Sequence, residues 1–134
     1  MFNIKINVKG YLKNLTENTK EIINTQAIKK SNMISYIIDN NKYKLVIDNN
    51  KVNLFRESDE YSHIMLFEES KNHQTEYYLK NSNFSLEFTI LTTKLIIEKN
   101  KIDITYKIIE SENIYNYVLE MSENLWVLNK KYKV

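Results

Sequence analysis

The chain contains no cysteine and no proline, and its single glycine is Gly10. Without cysteine there are no disulfides, no thiolate chemistry and no Cys-ligated zinc. Small secreted folds often need disulfides, so this composition favours a reducing compartment. The segment from Met1 to Gly10 has no apolar core of signal-peptide length, and the apolar runs elsewhere are only a few residues long. We therefore expect a cytoplasmic protein that does not associate with a membrane.

The scarcity of glycine and proline means that another residue must form the turns. Asn tolerates the left-handed backbone conformation better than any other non-glycine residue. Asn-containing segments at 39–41, 48–50 and 99–101 lie between strand-like stretches. We predict that these three segments are hairpin turns.

The charged residues balance and are interleaved along the chain. Nineteen Lys and Arg stand against 17 Asp and Glu, which gives a formal net charge of +2. A polyphosphate partner requires a broad basic surface, so we expect no nucleic acid binding. With 134 residues, 43% of them hydrophobic and 27% charged, the composition is typical of one folded domain, which we place over residues 1–134.

Alternation of apolar and polar residues is the clearest pattern in the sequence. Every second residue is apolar from 84 to 90, and the pattern returns from 102 to 108 after a turn at Asn100. Successive strand side chains point to opposite faces, so the pattern indicates antiparallel sheet with one buried face. Ten such segments recur at short intervals, at 2–9, 21–30, 33–39, 43–48, 52–56, 61–68, 75–79, 84–98, 102–110 and 114–122. This spacing favours an all-β sandwich or barrel.

The segment 84–98 is long for one strand, and its apolar phase slips near Thr92 and Thr93. A bulge must absorb the slip, or every later side chain would change face. We predict a bend here, and long bent strands let an antiparallel sheet close on itself. The sequence thus predicts one all-β antiparallel barrel, closed or nearly closed, of about eight to ten strands, with a two-sheet sandwich as the alternative. Residues 122–134 fit either a short helix capped by Ser122 or a last strand.

Arg56 is the only arginine among the 19 basic residues, and it follows Val52 and Leu54 on one strand face. Its rigid fork of donors suits a carboxylate or a phosphate, which lysine cannot bind in the same bidentate way. If that face is internal, Arg56 lies near the mouth of the barrel. The competing interpretation is an ion pair with a neighbouring Glu, because an unpaired buried charge is costly.

His63, Tyr61 and Tyr78 are the other candidate ligand-binding residues. If the hairpin turns through residues 57–60, His63 lies opposite Leu54 and shares a face with Tyr61 and Arg56. A neutral imidazole there could carry a proton or donate a hydrogen bond near physiological pH. Tyrosines within strands, Tyr61 and Tyr78 among them, could line a pocket for an amphipathic ligand, although packing is their commoner role. A structural or solvated role is the commoner one for His63 also.

Motifs for catalysis or metal binding are absent from the sequence. No Ser or Thr has a nucleophile-elbow context, there is no glycine-rich phosphate loop, and His73 lacks partners at metal-ligand spacing. We therefore expect no catalytic residues, no metal and no cofactor.

Three stretches of the sequence resemble the YwiB-like family of small bacterial calycin-like barrel proteins, whose function is not established. The first runs from Tyr43 to Arg56 and includes KLVIDNNKVNLFR, the second contains NFSLEFTILTTKL, and the third is IDITYKI. The resemblance extends from about Ile4 to Met121. It implies a closed lipocalin-like barrel with Arg56 at a family-typical position, and no catalytic assignment. The family tends to carry Gly just before the long strand, where this chain has Asn83.

We expect a non-catalytic barrel that binds a small amphipathic or anionic molecule in its interior or mouth, with Arg56 as the anion partner. The alternative is a protein-interaction module, such as a homodimer, that uses a strand edge or an aromatic patch around Tyr115, Tyr117 and Trp126. An enzyme is the third class, and it would require Arg56, His63 and a carboxylate to converge at a cavity.

Overall fold

Ten antiparallel strands make up the computed structural model, which describes residues 3–123. They are β1 (Ile4–Asn14), β2 (Thr19–Lys30), β3 (Met33–Ile38), β4 (Asn41–Asp48), β5 (Lys51–Glu57), β6 (Tyr61–Glu68), β7 (Asn72–Leu79), β8 (Phe84–Glu98), β9 (Lys101–Ile108) and β10 (Asn113–Glu123). All ten predicted strands are confirmed, and β6 and β8 have the predicted bounds. The alternatives for 122–134 fall almost wholly outside the described residues, since β10 ends at Glu123.

The ten strands form a closed barrel, as predicted. Each strand pairs with its neighbours in the sequence, and β1 pairs with β10 to close the sheet, in the order β1-β10-β9-β8-β7-β6-β5-β4-β3-β2. The sandwich alternative is therefore wrong. Between residues 3 and 123 no segment is helical, and a search of this range for a helix suited to crossing a membrane finds none.

The interior of the barrel is the hydrophobic core. Inward-facing positions alternate with outward-facing ones along each strand, as the pleat requires. The most deeply buried side chains are Val8, Ile34, Leu45, Val52, Phe67, Ile90, Thr92, Ile102, Ile104 and Leu119. They come from eight of the strands, so one continuous core stabilises most of the wall.

Asparagine is the commonest residue at the tight turns. Between residues 3 and 123, eight non-glycine residues have positive φ, and four of them are Asn18, Asn40, Asn49 and Asn83. The segments 39–41, 48–50 and 99–101 connect β3 to β4, β4 to β5 and β8 to β9, which confirms the three predicted hairpins. Asn83 takes the left-handed conformation immediately before β8, where a Gly is typical of the resembled family.

The predicted bulge lies at Thr93. Thr92 pairs with Tyr106 and Lys94 pairs with Thr105, so Thr93 is the extra residue in β8. Its hydroxyl donates to the carbonyl of Thr105 at 3.2 Å. Residues three positions apart on a regular strand point to opposite faces, but the bulge lets Thr92 and Leu95 both face inward. Both parts of this long strand therefore contact the core.

The barrel wall is incomplete between β2 and β3. β2 pairs with β1 over its whole length but with β3 only from Ala27 to Lys30. Residues 19–26 of β2 therefore have a strand partner on one side only within the described range. Here β2 and β3 diverge and leave an opening in the side of the barrel, which positions the site described below.

Gly10 lies in the middle of β1, not in a turn, and its φ is not positive. A Cβ at this position would collide with the backbone carbonyl of Val118 on β10. We predict that Gly10→Ala lowers the free energy of unfolding by about 3 kcal/mol, because the two strands that close the barrel would have to move apart. Urea denaturation measures the change. Asn7→Ala on the same strand is the control, and a Gly10→Ala loss no larger than that of the control would contradict the prediction.

Candidate functional site

A cavity of about 530 Å³ opens into the barrel beside the gap between β2 and β3. Its walls combine aliphatic side chains, tyrosines, two carboxylates and one guanidinium. The lining residues are Leu12, Glu21, Ile22, Ile23, Tyr36, Ile38, Asp39, Asn41, Tyr43, Leu54, Arg56, Tyr61, Met65, Tyr77, Tyr106 and Tyr117. An apolar cavity with a few convergent polar groups is the usual form of a small-molecule site.

A ladder of inward-facing side chains crosses the wall at this cavity. Tyr36, Tyr43, Arg56, His63 and Tyr77 occupy directly opposed positions on the consecutive strands β3 to β7. The two hairpins that present the first three residues are short and end in the left-handed turns at residues 40 and 49, so the register is fixed by turn geometry. The ladder holds Arg56 at its centre.

Tyrosine rings enclose the guanidinium of Arg56. Its central carbon lies 5.6 Å from the centroid of Tyr43 and 5.7 Å from that of Tyr61. Tyr43 stacks in turn on Tyr36 at 4.7 Å, and Tyr61 stacks on Tyr77 at 5.0 Å. Each ring face attracts the cation and limits its rotation. The guanidinium is therefore held in place before any ligand arrives.

No carboxylate of residues 3–122 forms a salt bridge with Arg56. Its Nε is buried and has no hydrogen-bond partner in the same range. Glu21 lines the cavity but does not pair with Arg56. The ion pair between Arg56 and a neighbouring Glu, which was the competing interpretation, is thus not formed with any described residue. A guanidinium remains protonated at all ordinary pH values, so Arg56 carries its positive charge in the cavity wall.

Neutral tyrosine hydroxyls supply the remaining polar surface. The hydroxyls of Tyr36 and Tyr117 share a hydrogen bond of 2.6 Å across the interior, and that of Tyr61 donates to Oδ1 of Asn41 at 2.9 Å. Burial raises the pKa of Tyr36, Tyr106 and Tyr117 well above the usual value. The cavity therefore combines one positive charge and a set of uncharged hydroxyls with the carboxylates of Glu21 and Asp39, which lie at exposed positions of its lining.

His63 is buried behind the cavity and does not line it. Neither ring nitrogen has a hydrogen-bond partner within the described residues. The rings of His63 and Tyr77 pack edge to face, with their centroids 5.2 Å apart. Burial, and secondarily the charge of Arg56, lower the pKa of His63 to about 4. At neutral pH it is a neutral imidazole, so it is unsuited to carry protons near physiological pH.

The register of His63 differs from the prediction by two residues. His63 pairs with Arg56, and Leu54 pairs with Met65. The hairpin closes where the N–H of Ser58 donates to the carbonyl of Tyr61 at 3.0 Å, one position later than expected. A register shift of two residues leaves each side chain on the same face of the sheet, so His63 still points inward as predicted.

Tyr78 lies outside this cavity. It pairs with Ser62 on the outer face, and its hydroxyl donates to Oδ1 of Asn83 at 2.7 Å. The adjacent Tyr77 points inward and lines the cavity. The alternation of Thr75, Tyr77 and Leu79 was the sequence signal that distinguishes the two tyrosines.

Of the predicted aromatic patch, Tyr117 is buried in the core and Tyr115 packs against it from the inward side. Trp126 lies outside the described residues.

Within the described part of the chain, no group of three His, Asp or Glu side chains could hold a metal ion. His73 contacts Glu68 at 3.1 Å instead.

Comparison with solved structures shows the same barrel in the ywiB protein from Bacillus subtilis, with a TM-score of 0.64 over 91% of this chain and 92% of that one. This chain is a YwiB-like barrel. The two sequences are 18% identical, so the similarity is one of fold. It confirms the resemblance drawn from the sequence. No protein-family model matches the chain, and neither does any curated protein.

The YwiB-like barrel should lose stability in acid through His63. The folded pKa of about 4 lies below the ordinary value of 6.5, so the unfolded chain binds more protons between these two pH values. The free energy of unfolding is therefore expected to fall by about 3 kcal/mol as the pH drops through this window. Carboxylates titrate nearby, but they do so equally in His63→Phe, so the difference between the two proteins isolates the imidazole.

NMR titration of the His63 ring tests the same prediction directly, with His73→Gln used to assign the two histidine signals. A midpoint near pH 4 is expected. In Arg56→Met the midpoint should rise, because one of the two causes of the low pKa is removed. A His63 midpoint near 6.5 in the native protein would contradict the structure.

Replacing the central cation should stabilise the empty barrel. Arg56→Met keeps much of the side-chain volume but removes a partly buried charge that has no carboxylate partner, at the cost of two cation–π contacts. We expect the free energy of unfolding to rise by about 1 kcal/mol. The control is Lys94→Met, which removes the ammonium group that lies 3.0 Å from the carboxylate of Asp103. This control should slightly lower the free energy of unfolding. A clear loss of stability in Arg56→Met would show that Arg56 is structural.

Proposed function

We propose that this protein is a non-catalytic binding protein whose cavity holds a small amphipathic anion, with the negative group on Arg56. The observation that supports it is the single guanidinium that lines a tyrosine-rich cavity without a carboxylate partner among residues 3–122. An anion in the cavity would provide the counter-charge that the described carboxylates do not. Burying a charge without a partner costs stability, and such a cost is commonly retained where it serves a ligand.

The rest of the lining suits the apolar part of such a ligand. Leu12, Ile38, Leu54 and Met65 provide aliphatic surface, and the tyrosines add flat rings with polar tips. A volume of about 530 Å³ lies within the range of ordinary small-molecule pockets. The ligand is thus expected to combine one carboxylate or phosphate with a compact hydrophobic or aromatic body.

Binding without catalysis is favoured by the chemistry of the lining. His63, the only buried imidazole of residues 3–122, is separated from the cavity and has a low pKa. The carboxylates Glu21 and Asp39 lie at exposed positions at the edge of the cavity, open to solvent and not enclosed around a reacting group. The tyrosine hydroxyls that face inward are held neutral by burial.

Calorimetry and thermal unfolding with matched pairs of probes test the proposal. The pairs are octanoate with octanol, and benzoate with benzamide, so that each pair differs in charge. At saturating concentration the carboxylates should raise Tm, because they bind only the folded state, while the neutral partners should have little effect. Arg56→Met should weaken carboxylate binding at least about tenfold, and Arg56→Lys should weaken it less, since lysine keeps the charge but not the fork.

Lys9→Met is the matched control, since it removes an exposed cation from the outside of β1. It should bind the probes as the native protein does. Equal binding of octanoate and octanol, or carboxylate binding that survives in Arg56→Met, would refute an anion site at Arg56. The absence of any Tm shift across anionic probes would refute the proposal as a whole.

A further inference from the structure

The edge of β2 beside the side opening is an unsatisfied hydrogen-bonding surface. The pair Lys30 and Met33 closes a two-residue hairpin, so even-numbered residues of β2 direct their N–H and C=O groups toward the β3 side. From residue 19 to residue 26, no described strand meets that side. The backbone groups of Lys20, Ile22 and Asn24 therefore form a ready template for another strand.

This edge lacks most of the features by which proteins prevent strand addition. Natural edge strands are short, bulged, covered or interrupted by proline or inward charges. The free part of β2, residues 19–26, is eight residues long, has regular pairing to β1 and contains no proline, and Glu21 is its one inward charge. Ile22 on its outer face is 64% exposed.

An apolar groove of about 590 Å³ adjoins the edge on the outside of the barrel. Ile28, Ile37 and Phe55 form its floor, and Ile37 is 59% exposed although it lies in the middle of a regular sheet. A strand added to β2 would project every second side chain outward toward this groove and the others inward over the opening of the cavity. The groove thus lies next to a backbone template and faces one side of the added strand.

The charge at the groove is positive. Lys5, Lys42 and Lys44 line it, and none of the three forms a salt bridge within residues 3–122. The carboxylate of Glu57, the acidic member of the lining, is already bound by Lys80 at 2.8 Å. An occupant with acidic side chains would therefore meet complementary charge.

We propose that β2 accepts an extended segment of another protein, with acidic side chains facing outward to the lysines of the groove and apolar ones facing inward over the cavity, as an additional antiparallel or parallel strand. Addition of a strand to an exposed edge takes its affinity from backbone hydrogen bonds and its specificity from alternate side chains. A second copy of β2 fits less well, because it brings Lys20, Lys29 and Lys30 against only Glu21. Residues 124–134 of the chain fit less well too, because they contain three lysines and no acidic residue.

The experiment uses the full-length protein and two synthetic peptides of about eight residues, one alternating Val with Glu and one alternating Val with Lys. The Val-Glu peptide should shift the amide NMR signals of residues 19–26 and slow exchange of the Ile22 and Asn24 amides about tenfold. The Val-Lys peptide should do neither. Asn24→Pro removes a donor that faces the free edge and should abolish the effect, whereas Asn24→Ala keeps the N–H and should preserve it.

Charge reversal provides a second variant that leaves the edge backbone intact. Lys42→Glu combined with Lys44→Glu should eliminate binding of the Val-Glu peptide and permit binding of the Val-Lys peptide, while Lys99→Glu in a distant turn should change nothing. Three results would each overturn the proposal: equal binding of both peptides, binding that survives in Asn24→Pro, and no shift with the Val-Glu peptide at millimolar concentration. Adsorption of the protein to phosphatidylglycerol vesicles that persists in Asn24→Pro, without a peptide effect, would assign the surface to lipid. A concentration-dependent dimer blocked by Asn24→Pro would assign the edge to a second copy.

Discussion

Closure of the barrel through β1 is the constraint on which the rest of the structure depends. β1 is bonded to β2 along one edge and to β10 along the other, over nearly its full length. The two backbones approach so closely at Gly10 that no side chain fits there. On its other edge β2 is much longer than β3, which ends at Ile38, so residues 19–26 of β2 have no β3 partner. The opening and its cavity follow from that geometry.

The interior then contains one charge that the fold does not neutralise. A domain gains stability by excluding charges from its core or by pairing them, and Arg56 is neither excluded nor paired with a described carboxylate. The rings of Tyr43 and Tyr61 compensate part of the cost. His63 adds no second charge beside it, because burial first and then the charge of Arg56 keep its pKa low. A structural role for Arg56 would predict a nearby carboxylate, whereas an enclosed, available guanidinium is what recognition of an anion requires.

Much of the architecture was predictable because strand alternation and turn chemistry are local properties. The turns at residues 39–40 and 49–50 even determine the ladder, since Tyr36 and Tyr43 are equidistant from the first, and Tyr43 and Arg56 from the second. The position of His63 was predicted only to within its face, because the side chain of Ser58 and the carbonyl of Tyr61 decide where that hairpin closes. Glu21 was missed because it reaches the cavity only through the divergence of β2 from β3, which no local pattern encodes.

The cavity and the outer groove are on opposite sides of the same stretch of wall. Tyr36 and Tyr43 line both of them, and Ile22 and Asp39 lie at the opening between β2 and β3. A strand added at β2 would cover this opening and exclude water from the cavity. A lower local dielectric strengthens the attraction between Arg56 and an anion, so the two occupants would favour each other's binding. Such coupling is reciprocal by linkage, which means that an anion in the cavity would also raise the affinity of the edge for its strand.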